Sequence, residues 1–158
     1  MKALTLIFSL LLLGGCAGGL SIDRQHPSAN HDSRVQWVVV HYTSTDVQHS
    51  LELLTRGGVS SHYLIGEAPA TIYQLVDENR RAWHAGDSQW RGRTWLNAST
   101  LGIELVNQGY ADTPAGRVWQ PYSEAQIDAL ILLLKDIVQR HHLPIDSIIG
   151  HSDIARSA

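Results

Sequence analysis

The chain holds one cysteine, one phenylalanine and one methionine among its 158 residues. A single thiol excludes an intramolecular disulfide framework, and with it any zinc site built from four cysteines or from paired cysteines and histidines. Positive charge is not in excess either, with 12 Lys+Arg against 15 Asp+Glu and a formal net charge of −3. That balance argues against a broad basic face for holding nucleic acid, and no nucleic-acid partner is expected. Charged residues are 17% of the chain and apolar residues 44%, which excludes the composition of a disordered polypeptide. No internal repeat or low-complexity tract is present. What stands out instead is nine histidines and five tryptophans. The length permits one domain with a real core and leaves little room for a second.

The first residues read as a targeting segment. Met1-Lys2 is followed by the apolar run Ala3–Leu13 and then Gly14-Gly15, which is the pattern of a secretory signal. The run is too short to span a bilayer comfortably, since that takes roughly 20 residues. Cys16 follows directly, and Leu-Gly-Gly-Cys resembles the lipobox of bacterial lipoproteins, where the signal is cut before a cysteine that then carries lipid. An ordinary cleavage site with an incidental cysteine is the alternative. The lipobox resemblance implies a lipoprotein signal peptide over 1–15, lipidation at Cys16 and a tether over 16–33. Because Ala17 follows rather than Asp, it also implies an outer-membrane, periplasm-facing anchor without a membrane span. Loss of Lys2 would leave 11 basic against 15 acidic residues, a charge of −4. The only phenylalanine, Phe8, would leave too, so the mature aromatic content is all Trp and Tyr, side chains suited to wet clefts.

From residue 34 onward the patterning is that of a folded domain. Residues 34–42 form a β-branched run expected to be a buried strand. Residues 47–56 predict a short helix stopped by Gly57-Gly58. Residues 61–66 and 71–76 predict a hairpin around Pro69. Residues 77–99 show little periodicity but hold Trp83, His84, Trp90, Trp95 and Asn97, as a functional loop does. Residues 101–106 return to strand, and 109–121 read as turn-rich. Residues 124–142 predict a helix, with Ser123 and Gln126 as a capping box and Ile127, Leu130, Ile131, Leu134, Ile137 and Val138 as its apolar face. Residues 148–150 predict a last short strand. These elements give a single α/β domain, a central mixed β-sheet flanked by helices.

Several residues carry chemistry. His41 and His151 each directly follow an apolar strand run, where rigid strand ends hold side chains well enough to ligate a metal. Each taken alone reads more readily as a structural or surface histidine. Glu104 sits in Leu-Gly-Ile-Glu-Leu-Val, where a carboxylate must face a cleft, find a partner or point to water from an edge strand. His62 reads as a packed, hydrogen-bonded core residue. Asp153 could reach a metal or fix the local turn.

Five segments, Val-Val-Val-His-Tyr-Thr, Val-Ser-Ser-His-Tyr-Leu-Ile, Arg-Ala-Trp-His-Ala-Gly, Leu-Gly-Ile-Glu-Leu and Gly-His-Ser-Asp-Ile-Ala, occur in order. Together they resemble the type-2 zinc N-acetylmuramoyl-L-alanine amidases, which are related to the peptidoglycan-recognition proteins. The likeness covers roughly residues 34–155. It implies that His41 and His151 are zinc ligands, that Glu104 is the catalytic glutamate, and that Trp83, His84 and Asn97 lie around a muramyl-peptide cleft. It also implies Zn2+ as cofactor and peptidoglycan or muropeptides as substrate. The reaction implied is hydrolysis of the amide between the lactyl group of N-acetylmuramic acid and L-alanine. A monomer is expected.

Relatives follow the Gly-His-Ser-Asp-Ile-Ala segment with Pro, a basic residue and an Asp-Pro-Gly that supplies the third ligand, whereas this sequence reads Arg156-Ser157-Ala158. Residues 34–158 are therefore expected to be an amidase domain lacking its C-terminal end. The competing expectation is a muramyl-peptide-binding module without a competent metal.

Overall fold

A run of Val38-Val39-Val40 favours a pleated, buried strand, because β-branched side chains pack well on both faces of a parallel sheet. In a computed structural model describing residues 20–156, this run lies in β1 (Trp37–Tyr42). Two units divide the chain, residues 1–31 and 32–158. Within the first, residues 20–31 carry no helix or strand. The expected signal peptide and Cys16 lie outside the described residues.

The second unit is built on β1 together with β2 (Tyr63–Ile65), β3 (Ile72–Gln74), β6 (Thr100–Leu105) and β9 (Ile148–Gly150). They form one sheet in the order β3-β2-β6-β1-β9. β2, β6, β1 and β9 run parallel, and β3 pairs antiparallel with β2 at the edge, so the sheet is mixed as expected. Its register decides the rest. Leu64 pairs with Glu104, Glu104 with His41, and Val40 with Gly150. His151, one residue beyond Gly150, therefore stands level with His41, at the carboxyl ends of three adjacent strands.

Alternation assigns the two faces. Val38, Tyr63, Ile65, Leu101 and Ile103 point to one side and pack with Leu133 and Ile137 of α2 (Glu124–His141). Val39 and Ile149 point to the other, with Ala85, Leu96 and Ile154 of α3 (His151–Ile154). Leu64 and Val106 pack with Leu54 of α1 (Val47–Arg56). α1 starts where Asp46 accepts from the His49 amide at 2.9 Å. α2 starts at the expected capping box, with the Gln126 amide donating to Ser123 Oγ at 3.2 Å. Gln126 also donates its Nε2 to the Val106 carbonyl at 2.7 Å, which ties the helix to the end of β6.

Three expectations need correction. The buried face of α2 is Gln126, Leu133 and Ile137 with Ala129, Leu130 and Leu134 beside them, while Ile127 and Ile131 stay 38% and 42% exposed. The helix is rotated toward Gln126 by that side chain's bond to β6. Residues 109–121 are not merely turns but a two-stranded ribbon, β7 (Tyr110–Thr113) and β8 (Gly116–Trp119), exposed at every position. The 77–99 segment contains a small hairpin, β4 (Gln89–Trp90) with β5 (Arg93–Thr94), and a 3-10 turn at Leu96–Ala98.

Candidate active site

β6 is the organising strand. Period-2 alternation puts Thr100, Gly102 and Glu104 on the same face, away from α2. Beside them β1 contributes His41, and the first residue of α3 is His151. His41 Nδ1 lies 2.7 Å from His151 Nδ1 and 3.9 Å from Glu104 Oε1. Two strand-end histidines 110 positions apart in the chain thus face each other beside a carboxyl group.

Burial sets the electrostatics of this cluster. Removal from water, followed by the neighbouring His151, pushes the His41 imidazole down to about 3. Burial likewise lowers His151. The side chain of Glu104 is 13% exposed, and burial raises its carboxyl to about 7. The choice between cleft and water is thereby settled for Glu104. It lines a cavity of about 120 Å³ with Tyr42, Thr43, Thr45, Ser50, Leu53, Leu54 and Val59, and removal of a carboxyl from water favours the protonated acid.

His84 occupies the floor behind His41. It is 8% exposed, its Nδ1 is 3.0 Å from His41 Nε2, and its Nε2 is 3.1 Å from Thr100 Oγ1. The ring lies flat against Gly102, where a Cβ would meet its Cγ at 2.5 Å. Asn97 supports the same segment from below, its Oδ1 accepting from the amides of His84 and Ala85 at 3.1 and 2.8 Å. Of the three residues expected around the cleft, these two serve as supports inside the fold. Trp83 instead presents its indole outward, 57% exposed, while its amide donates to Ser60 Oγ at 2.8 Å.

His62 is fully buried, as its reading as a core histidine requires. Its Nδ1 accepts from the Gly102 amide at 3.0 Å and its Nε2 lies 3.2 Å from the Arg80 carbonyl. Arg34 donates to the carbonyls of Glu78, Arg80 and Ala98, so one guanidinium grips both ends of the loop that carries Trp83, His84 and Asn97. Asp153 accepts from the Gly150 amide at 2.8 Å, which fixes the turn into α3. Sequence reasoning passed over Thr100, Gly102 and Arg34. The Thr-x-Gly-x-Glu alternation on β6 was the available signal, and it becomes meaningful only once the neighbouring strands are known.

The donor set suits a borderline-soft divalent cation. One buried and one half-buried imidazole, both with lowered pKa and converging through Nδ1, are appropriate zinc donors. Among the described residues, no group of three or more His, Cys, Asp or Glu side chains is arranged to hold a metal. His41 and His151 thus offer two imidazoles at one place, where a catalytic zinc normally takes three protein ligands.

Comparison with known proteins places this arrangement. The family model described as N-acetylmuramoyl-L-alanine amidase matches residues 31–158. The chain belongs to this amidase family. Within it, the N-acetylmuramoyl-L-alanine amidase AmiD of Escherichia coli strain K12 is 41% identical over 95% of this chain. This amidase-family chain spans 59% of that relative's length. A solved complex of E. coli AmiD with the substrate anhydro-N-acetylmuramic acid-L-Ala-D-gamma-Glu-L-Lys superposes with a TM-score of 0.79 at 40% identity, over 89% of this chain and 58% of that one. AmpDh3 of Pseudomonas aeruginosa, solved with an anhydromuramic pentapeptide, gives a TM-score of 0.77 at 37% identity, over 88% and 60%. The amidase domain therefore shares its mixed sheet and flanking helices with both.

Proposed function

We propose that this domain hydrolyses the amide between N-acetylmuramic acid and the L-alanine of a stem peptide, in peptidoglycan or its turnover fragments, with zinc as cofactor. One observation carries the reading: His41, His151 and Glu104 meet at one level of the sheet, in a family described by that reaction. The muropeptides in the two related complexes support the substrate class.

His41 and His151 would hold the metal through imidazoles that burial keeps unprotonated. Bound zinc supplies Lewis acidity that polarises a carbonyl and makes water nucleophilic near neutral pH. Glu104, raised to about 7, is poised to take a proton and to return one to the leaving amine, since an acid–base group works best with its pKa near the operating pH. Leu53, Leu54 and Val59 supply the apolar part of the cavity that the carboxyl lines, and partial removal from water strengthens charge interactions there. Tyr42, which lines the same cavity as Glu104, offers exposed aromatic surface beside this chemistry.

Metal analysis together with a muropeptide cleavage assay tests the proposal. Stoichiometric zinc and chelator-sensitive release of stem peptide are expected. Muropeptide binding without zinc or cleavage would refute it in favour of a binding module. Glu104→Gln should abolish cleavage and spare zinc; loss of zinc from a folded protein would make Glu104 a ligand. Residues 1–15 are proposed as a lipoprotein signal and Cys16 as an outer-membrane anchor facing the periplasm. The Leu-Gly-Gly-Cys segment supports this, acyl labelling of Cys16 tests it, and an unlipidated mature protein would refute it.

A further inference from the structure

The polar chain running from β6 to His41 has only one consistent direction. Thr100 is fully buried, and its Oγ1 lies 2.8 Å from the Leu96 carbonyl oxygen. A carbonyl can only accept, so the single hydroxyl proton of Thr100 is donated there. What Thr100 offers to His84 Nε2, 3.1 Å away, is therefore a lone pair. His84 Nε2 must carry the proton that fills it. In a neutral imidazole the other nitrogen is then bare, so His84 Nδ1 accepts, and the partner 3.0 Å away, His41 Nε2, must be N–H. By the same rule His41 Nδ1 has no proton. That bare nitrogen is the one turned toward His151 and Glu104.

We infer that Thr100 and His84 are positioning residues: the chain Leu96 carbonyl, Thr100, His84, His41 fixes the tautomer of His41 and reserves its Nδ1 lone pair for a metal. The metal half of this rests on the zinc reading above, whereas the tautomer half stands on the hydrogen-bond geometry of neutral imidazoles. Ligating histidines commonly direct their second nitrogen to a carboxylate, a backbone carbonyl or water. Here the carbonyl is reached through two intermediate side chains. Gly102 makes the arrangement possible, because the ring of His84 lies where any Cβ would be. Because both links are buried, water cannot substitute for either one.

Nitrogen-15 NMR of the imidazoles in the full chain, stripped of metal, reads the tautomers directly. Both His84 and His41 should be protonated at Nε2. Protonation of His41 at Nδ1, or of His84 at Nδ1, would overturn the inference without any variant. Thr100→Val keeps the shape and removes the acceptor, and should redistribute both tautomers. It should also weaken the affinity for zinc ions, measured by competition with a chelator, by about 10-fold or more. Thr100→Ser should restore both. A folded Thr100→Val with unchanged tautomers and zinc affinity would refute the positioning role. If the tautomers are as stated and the wild-type chain binds no zinc, the hydrogen-bond chain stands and the zinc reading falls.

Discussion

Replacing Gly102 by alanine probes the packing on which the whole site leans. A strand residue with no need of a positive φ can accept a side chain conformationally, so the change is governed by space. The added Cβ would meet His84 Cγ, Nδ1 and Cδ2 at 2.5, 2.7 and 2.8 Å. Restoring an ordinary contact of 3.4 Å requires the ring to retreat by about 0.9 Å. It has nowhere easy to go, being tied to His41 on one nitrogen and Thr100 on the other. Overpacking of this kind costs about 1–3 kcal/mol, while the smaller unfolded-state entropy of alanine returns about 0.4–1 kcal/mol. With three ring atoms closer than 3.0 Å the clash falls in the upper part of that range and wins, for a net loss of about 1–2 kcal/mol, or roughly 2–8 °C in Tm for a chain of this size. Displacing His84 also moves His41, and a shift of about 1 Å at a reacting group can cost about 100-fold in rate. Calorimetry and cleavage assays on the Gly102→Ala protein read the two effects. The double substitution Gly102→Ala with His84→Ala should show favourable coupling of at least about 1 kcal/mol, since the second change removes what the first one hits. A Gly102→Ala protein as stable and as active as wild type would refute this account of the site.

Further predictions concern charge and the helix face. In metal-free protein Glu104 has a folded pKa of about 7 against an ordinary 4.5. The folded state therefore holds a proton that the unfolded state releases. Stability from this group should fall as pH rises from 4.5 to 7, by up to about 3 kcal/mol. Urea unfolding with chelator present should show that slope in wild type and its loss in Glu104→Gln; equal slopes would count against a buried carboxyl. Glu78 behaves in the opposite sense. Burial raises its carboxyl, but hydrogen bonds from Arg140, Tyr63 and His141 outweigh this and hold it at about 2. Its contribution should be complete above pH 4.5 and fade as pH falls toward 2. That contribution is about 1 kcal/mol once solvent screening at the partly exposed Arg140 is allowed for, and Glu78→Gln should flatten the acid limb. On α2, Ile131→Lys should change stability by no more than about 0.5 kcal/mol. Ile137→Ala should cost about 2–5 kcal/mol; similar losses at both sites would show that the helix buries the face expected from its periodicity.

The legible parts of the sequence were those where one physical signal dominates. The valines of β1, the Ser123 capping box and the stop at Gly57 each announce an element locally, and they fall where expected. The β7–β8 ribbon was not legible because all eight of its strand positions are exposed. No apolar alternation marks it, and backbone pairing leaves no trace in composition. α2 was placed correctly but turned wrongly, since a buried glutamine counts as polar in any periodicity. His41, His151 and Glu104 could be nominated from strand ends and an acid among apolar neighbours. Their convergence depended on the pairing of β1 with β6 and β9. Thr100 and Gly102 are chemically bland and gain a role only from the ring of His84 above them.

The shared level of His41, Glu104 and His151 has a consequence for how this domain can tolerate change in length. Successive strand residues face opposite sides, so deleting one residue between Trp37 and Val40, with pairing kept, would turn His41 into the α2 core. The same deletion in β6 would send Glu104 there. Insertions in the β7–β8 turn or in the Pro69 turn leave that register untouched. Single-residue deletion scanning should thus divide the chain sharply, with short stretches of three strands intolerant of any change in length and the loops between them permissive.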